Sequence, residues 1–295
     1  MKLLQFTHGD LDGAACAVAA ARTFADVERD VRFCQYGDGD DSIDAAVREV
    51  LQQESTEKRF LLITDICPSK DVCDEIDRVK DTFEGVLLVD HHETNAWALD
   101  YSWTKIDVDN LMCGARLLLE GSTVPDELLL DFVYAVDAYD RWQLQSEHRA
   151  RGEALNRLYW FLGPDRFVRE FEANPGADRD TWLSKVAPVL RDQENHNVSK
   201  LSAQFKKDSD GRKIGFLVTS ENVSKAGNVF LTRYPELEYV VVAVPRSNVI
   251  SLRSRDDGVN VADIAKEHGG GGHAAAAGFP FDARSGLWDA VKDLF

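Results

Sequence analysis

The chain of 295 residues is 44% hydrophobic and 29% charged, the balance of a globular protein long enough for one large domain or two. Its 51 acidic side chains outnumber 34 basic ones, for a formal charge of −17, which argues against long polyanions because duplex binding neutralises many phosphates at once. No apolar run reaches the ~20 residues that span a bilayer, and the opening "MKLLQFTHGDLDG" turns polar too early for a signal peptide.

The first hundred residues alternate regularly. Lys2 to Phe6, Val31 to Tyr36, Arg59 to Ile66 and Gly85 to Asp90 read as strands, while Asp12 to Ala25, Ser42 to Gln53 and Lys70 to Thr82 have helical spacing. Continuous apolar strands separated by helices predict a parallel sheet covered on both faces. Two further helices, Leu111 to Glu120 and Asp126 to Ala138, lead into "VDAYDRW". From about Arg149 to Lys207 the pattern is helical and heavily charged, with breaks at "GPD" and "NPGAD". A fresh α/β unit opens with "KIGFLVTS". In it, "YVVVAVPRSNVISLRSR" reads as two strands joined by a tight turn. The helix Val261 to Glu267 then runs into "HGGGGHAAAAGF", whose alanines are expected to start another helix. Cys16, Cys34, Cys67, Cys73 and Cys113 form no CxxC pair and suggest no zinc site. They fit small core residues in a reducing cytoplasm.

Ligands of parallel sheets bind at the carboxyl ends of the strands. "THGDLDG" follows the first strand, "TDICPS" the third and "DHHE" the fourth, so the polar residues converge on one edge. Asp10 or Asp12 alone would read as a helix N-cap, and a lone histidine as a polar strand end. Together, His8, Asp10, Asp12, Asp65, Asp90, His91 and His92 crowd carboxylates that repel unless cations lie between them. A carboxylate and histidine set without thiolates suits Mn²⁺ or Mg²⁺ rather than structural zinc. A pair of ions ~3.5–4 Å apart would lower the pKa of a bridging water for in-line attack on a phosphoryl group.

These residues resemble a known family. "DHHE" at a strand end, "GDLDG" near the amino terminus and "TD" between them resemble the DHH phosphoesterase superfamily. "GGGGHAAAAGF" resembles the GGGH motif of its C-terminal DHH-associated domain. Both motif sets occur in the family's order, so the resemblance spans nearly the whole chain. "HGDLDG", "DHHETNAW" and "YDRW" bring it nearest to the NrnB oligoribonuclease and RecJ-like exonuclease group. The GGGH ending separates it from the family II pyrophosphatases. The resemblance implies an α/β fold: a parallel-sheet DHH domain over residues 1–190, a helical linker over 191–210 and a smaller α/β DHH-associated domain over 211–295. It places the active site in the interdomain cleft.

Carried over by position, the resemblance implies two Mn²⁺ ions, with Mg²⁺ as the alternative, held by Asp10, Asp12, Asp65 and His91, Asp65 being the bridge. Asp90, His91 and His92 would form the catalytic group, Asp90 orienting an imidazole and His92 lying near the phosphate or leaving group. A further aspartate is implied from a later segment, where Asp137 and Asp140 compete and Asp140 stands in the "YD.W" context. His8 departs from the family spacing, which sets a histidine four residues before the first aspartate, although its chemistry suits a ligand.

The run Gly269 to Gly272, read alone, is a flexible loop. Beside a helix amino terminus it would bring backbone N–H groups close to a phosphate, and alternation in "SLRSR" puts Arg253 and Arg255 on one face. The resemblance implies that Arg253, Gly270, Gly271, Gly272 and His273 hold the terminal phosphate or base of a short nucleotide chain. Arg141, Arg149, Arg151 and Arg157, beside Trp142 and Trp160, read either as a groove lining or as solvated helix faces against core aromatics.

The leading expectation is a metal-dependent phosphodiesterase that removes mononucleotides from short RNA or DNA oligomers. Its partners would be short oligonucleotides, with no long duplex and no membrane, and a homodimer is compatible with the apolar faces of the first domain. A second reading is a phosphatase or diesterase for small nucleotides such as 3′-phosphoadenosine 5′-phosphate, cyclic mononucleotides or linear dinucleotides. A third, from another class, is a non-catalytic nucleotide-binding regulator, against which the mutually repelling Asp10 and Asp12 speak.

Overall fold

The strand β1 (Lys2–His8) is buried along its five central residues, which requires sheet on both its edges and cover on both its faces. In a computed structural model that describes residues 1–295 except 38, 40, 41, 54, 121–125, 283 and 285, the chain folds as two units, Met1–Arg191 and Asp192–Phe295. After β1 come α1 (Leu11–Thr23), β2 (Glu28–Cys34), α2 (Ile43–Leu51), β3 (Arg59–Thr64), α3 (Lys70–Val79), β4 (Gly85–Asp90) and β5 (Thr104–Ile106). The helices α4 (Gly114–Leu119), α5 (Glu127–Asp140), α6 (Arg149–Leu162), α7 (Pro164–Ala173) and α8 (Thr181–Ser199) follow.

The first sheet is parallel throughout, in the order β2-β1-β3-β4-β5. Alternation along each strand divides the side chains between two cores. Leu4, Phe6, Leu61 and Ile63 meet Ile43, Val47, Val72 and Ile76 of α2 and α3. Leu3 and Leu62 meet Ala20 of α1, and α1 packs in turn on Phe132, Leu155, Leu158 and Phe167 of α5, α6 and α7. The predicted strands and the sheet covered on both faces are present. The three-residue β5 was not anticipated, being too short to carry a period of its own. Strand order reverses between β1 and β3, and in open parallel sheets the crevice at such a switch point is where ligands bind.

The second unit contains β6 (Gln204–Lys207), β7 (Lys213–Val218), α9 (Val223–Arg233), β8 (Tyr239–Val244), β9 (Val249–Ser254), α10 (Val261–Glu267), β10 (Gly271–His273), β11 (Ala276–Pro280) and α11 (Leu287–Val291). Its sheet runs β10-β11-β9-β8-β7-β6, and β8, fully buried, separates a core containing Tyr239 and Val241 from one containing Val240 and Val242. The expected helix at the alanine run is absent; Ala274 and Ala275 make the turn out of β10, and Ala276 and Ala277 open β11, antiparallel to both β9 and β10. Ala277 and Phe279 point alike into the core, and sheet pairing outweighs the helix propensity of alanine. Gly270 and Gly272 permit this hairpin. A Cβ on Gly270 would lie 2.0 Å from the Gly278 carbonyl oxygen, and Gly272 has φ +136°. Among the described residues, no helix is long and apolar enough to cross a membrane.

Candidate active site

The turn out of β1 supplies the first carboxylates. Asp10, with extended backbone, caps α1 by accepting a hydrogen bond from Gly13 N at 3.0 Å. Gly13 has no room for a side chain, since a Cβ would stand 2.0 Å from the His8 carbonyl oxygen. In the first turn of α1, the buried Asp12 accepts from Gly114 N at 2.6 Å and Ala115 N at 3.0 Å, the first amides of α4. Gly114 suits the same close approach: a Cβ there would lie 3.0 Å from Asp12 Oδ2 and 3.1 Å from Asp65 Cβ. Asp65 leaves β3 in the left-handed region at φ +58°, with its N–H donated to Val89 O at 2.8 Å. A buried non-glycine residue in that conformation is uncommon and clusters at functional sites.

His91 is the hub of the cluster. Its Nε2 lies 3.6 Å from Asp12 Oδ2, 3.3 Å from Asp65 Oδ1 and 3.4 Å from Asp140 Oδ2. On the far side, His8 Nδ1 lies 3.8 Å from Asp65 Oδ2 and 2.9 Å from Asp10 Oδ2, the latter an electrostatic contact out of line for a hydrogen bond. Three sets of candidate ligands therefore share Asp65, namely Asp12 with His91, His8 with Asp10, and Asp90 with His92. The Oδ2 atoms of Asp65 and Asp140 are buried with no hydrogen-bond partner.

The electrostatics follow from this crowding. Burial, then the negative charge of Asp65, pushes Asp12 up to about 8. Burial, reinforced by Asp12 and Asp10 and opposed by His91, pushes Asp140 up to about 7. Burial alone would lower His8 and His91, but neighbouring carboxylates, Asp10 for the first and Asp140 with Asp65 for the second, raise both well above the usual imidazole value. Burial likewise opposes ionisation of Asp10, and the His8 charge outweighs it, so Asp10 titrates well below the usual range. Orphaned buried carboxylate oxygens and repelling acids are what a bound divalent cation would satisfy, and the donor set of carboxylates and imidazoles fits one.

The remaining "DHH" residues orient one another. Asp90, fully buried, accepts from His91 N at 2.8 Å, His92 Nδ1 at 2.7 Å and Asn95 Nδ2 at 2.6 Å. Burial works against its charge, yet His92 prevails and keeps Asp90 well below the usual carboxylate range. On His91, Nδ1 lies 3.3 Å from Asn110 Oδ1. That amide oxygen only accepts, so Nδ1 carries a proton in either charge state, and in the neutral ring that a metal ligand must be, Nε2 would turn its lone pair toward the carboxylates. Asn95, Asn110 and Gly114 were given no role from the sequence. The only hints were their places in "DHHETN" and "DNLMCG".

Asp137 and Asp140 are separated plainly. Asp140 faces His91. Asp137 lies outside the cluster, bound to Cys113 N at 2.8 Å, Arg116 Nη1 at 2.9 Å and Arg141 Nη1 at 3.3 Å. The arginines that read as a groove lining or as solvated faces are neither, because each is tied within the first unit. Arg141 Nε donates to Asn110 O at 2.7 Å. Arg149 is buried, donates to Tyr139 O at 2.9 Å and covers the Trp142 ring at 3.9 Å. Arg151 pairs with Asp131 and Asp178, and Arg157 with Glu153.

In the second unit, Arg253 Nη1 donates to Ser251 Oγ at 2.9 Å and Nη2 to Ser224 Oγ at 2.8 Å. Arg255 instead caps carbonyls at Leu231 and Leu237, at 2.7 and 2.6 Å. Gly270 N donates to Ala265 O at 2.8 Å, closing the end of α10. The glycine run thus follows the carboxyl end of a helix and leads into the strands β10 and β11. Gly271 and His273 lie opposite Gly278 and Ala276 in the hairpin.

No family model matches the chain. Oligoribonuclease NrnB of Bacillus subtilis is 25% identical over 307 residues, a span covering 98% of this chain and 74% of that protein. Among solved structures, the DHH domain of a member of a ribosomal-protein family aligns with a TM-score of 0.68 at 12% identity, over 99% of this chain and 85% of that one. RecJ of Thermus thermophilus, in complex with Mn²⁺, aligns at 0.58 and 15% identity, over 99% of this chain and 51% of that one. The fold is that of DHH-domain proteins, and the resemblance first read from the motifs holds in sequence and in structure.

Proposed function

We propose that this chain, DHH-type in fold and motif, is a metal-dependent phosphodiesterase that hydrolyses short RNA or DNA oligonucleotides to mononucleotides. The observation carrying the reading is the convergence of Asp12, Asp65 and Asp140 on His91 Nε2, with two buried carboxylate oxygens left without donors. Similarity to an oligoribonuclease along nearly the whole chain supports the substrate class. The excess of negative charge limits the substrate to short chains.

Asp12, Asp65, Asp140 and His91 would hold one divalent cation, and His8, Asp10 and Asp65 a second, with Mn²⁺ suited to the mixed set and Mg²⁺ as the alternative. Bound there, such ions supply Lewis acidity that ionises water near neutral pH and neutralises phosphoryl charge. Asp65 is common to both groups and keeps them adjacent. Asp90 accepts the Nδ1 proton of His92 and, against the effect of burial, raises the pKa of that ring. His92 would accordingly donate its Nε2 proton to the departing oxygen. Arg253, steadied by Ser224 and Ser251, with Gly271, Gly272 and His273, would hold the terminal phosphate or base of the substrate, while Gly270 serves the hairpin.

The test is incubation of pure protein with Mn²⁺ and labelled dinucleotides, longer RNA and DNA oligomers, and 3′-phosphoadenosine 5′-phosphate. Mononucleotides released from the short oligomers are the expected result. Turnover of small monophosphates alone would overturn the oligonucleotide reading, and tight nucleotide binding without turnover would point to a regulator.

A further inference from the structure

Tyr36 stands just past β2, at the edge of the cluster, with its ring centroid 6.1 Å from that of His8 and tilted by 54°. Its two ends lie in opposite environments. The hydroxyl oxygen accepts from Asn95 Nδ2 at 3.2 Å and from Cys67 N at 3.3 Å. Burial of that oxygen, with Asp90 nearby, pushes the phenol well above its ordinary pKa. Yet the residue is 48% exposed, so the ring is the part that faces outward. An open aromatic surface forgoes the stabilisation that burial would bring, and a side chain with no task there would ordinarily be free to turn.

The long axis of this side chain is not free to swing. Its two anchors come from the segments that carry the cluster: Cys67 lies two residues beyond Asp65, and Asn95 also binds Asp90 Oδ2 at 2.6 Å. The ring is therefore held in register with the carboxylates and with His92. A rigid aromatic face beside a phosphoryl site is what an unpaired base can stack on, and because every base has a π-face, such stacking tolerates any sequence.

We infer that Tyr36 is a nucleobase platform, on which the base flanking the scissile phosphate stacks. The inference rests on the phosphodiesterase reading and adds to it a contact that recognises a nucleoside rather than a bare phosphate ester. Purines, having the larger face, are favoured at that position. A base-free phosphodiester gains nothing from the ring.

Steady-state hydrolysis of a dinucleotide, compared with the same compound carrying an abasic ribose on either side, tests it. Tyr36→Leu should raise KM for the dinucleotide about tenfold with kcat nearly unchanged, and should not alter turnover of the analogue abasic at the stacked position. Tyr36→Trp, which restores a face, should recover most of the loss. An equal effect on dinucleotide and abasic analogues, or no effect on either, overturns the platform. Should the leucine variant fail to fold, Tyr36→Phe keeps the ring while removing both anchors, and a rise in KM of about threefold confined to base-bearing substrate is expected; an unselective loss of kcat overturns the inference. If the wild-type protein hydrolyses no dinucleotide, the phosphodiesterase reading fails separately. Fluorescence of a 2-aminopurine dinucleotide then decides: quenching lost in Tyr36→Leu supports the platform, and equal quenching by both proteins rejects it.

Discussion

Asn110 Oδ1 stands 3.3 Å from His91 Nδ1, and this contact decides which nitrogen of His91 faces Asp12, Asp65 and Asp140. Asn110 is itself in the left-handed region at φ +51°, and Arg141 ties its carbonyl to α5 at 2.7 Å. Asn110→Gly preserves that backbone and removes only the amide. Its Mn²⁺ affinity, measured by titration calorimetry, is expected to fall about 10- to 100-fold with the unfolding temperature little changed. Wild-type affinity in this variant would show that the amide does not set the ring.

The two aspartates one turn apart on α5 should behave oppositely. Asp140→Asn is expected to abolish metal-dependent hydrolysis and to leave stability intact or slightly raised, because a repelling carboxylate is removed. Asp137→Asn weakens the pairing of Arg116 and Arg141 and should lower stability by about 1–3 kcal/mol while retaining residual turnover. Denaturant unfolding and metal-dependent turnover, measured on both variants, separate the roles; a reversed pattern would exchange them.

At Gly114 the helix-propensity rule should fail. Alanine ordinarily favours a helix over glycine, but here its Cβ would press on Asp12 and Asp65 from 3.0 and 3.1 Å. Gly114→Ala is expected to weaken Mn²⁺ binding and hydrolysis about tenfold or more through overpacking at the cluster. Undiminished activity would mean that α4 yields without moving the carboxylates.

Metal binding should release protons. Asp12, up to about 8, and Asp140, up to about 7, are both raised from 3.8. Between the lower and upper values the folded state binds more protons than the unfolded one. Their stabilising contribution is therefore complete below 3.8 and is lost as pH rises through about 7 and 8. A divalent cation needs the ionised forms, so the Mn²⁺-induced rise in unfolding temperature should grow from acid to mildly alkaline pH. Calorimetry in buffers of different ionisation enthalpy should register proton release. A pH-independent metal effect without proton release would contradict the shifts.

Much of the fold was legible because the first unit obeys local rules. Lys2 to Phe6, Arg59 to Ile66 and Gly85 to Asp90 are apolar runs that can be buried only inside a parallel sheet, and the residues that follow them are polar and chemically alike. Residue type and order along the chain therefore determined the edge on which the cluster forms. They did not determine which of Asp137 and Asp140 joins it. Those two differ by one turn of a helix whose rotation is set by packing of Phe132, Val133 and Val136 in the core. Nor did they reveal that Ala276–Pro280 would pair with β9, that the arginines after Asp140 would be tied internally, or that Asn95 and Asn110 would orient Asp90 and His91. Each depends on partners distant in sequence or on a turn of backbone with no periodic signal. A chain encodes its periodicity residue by residue, whereas the direction of a side chain is settled only when the elements on either side of it are in contact.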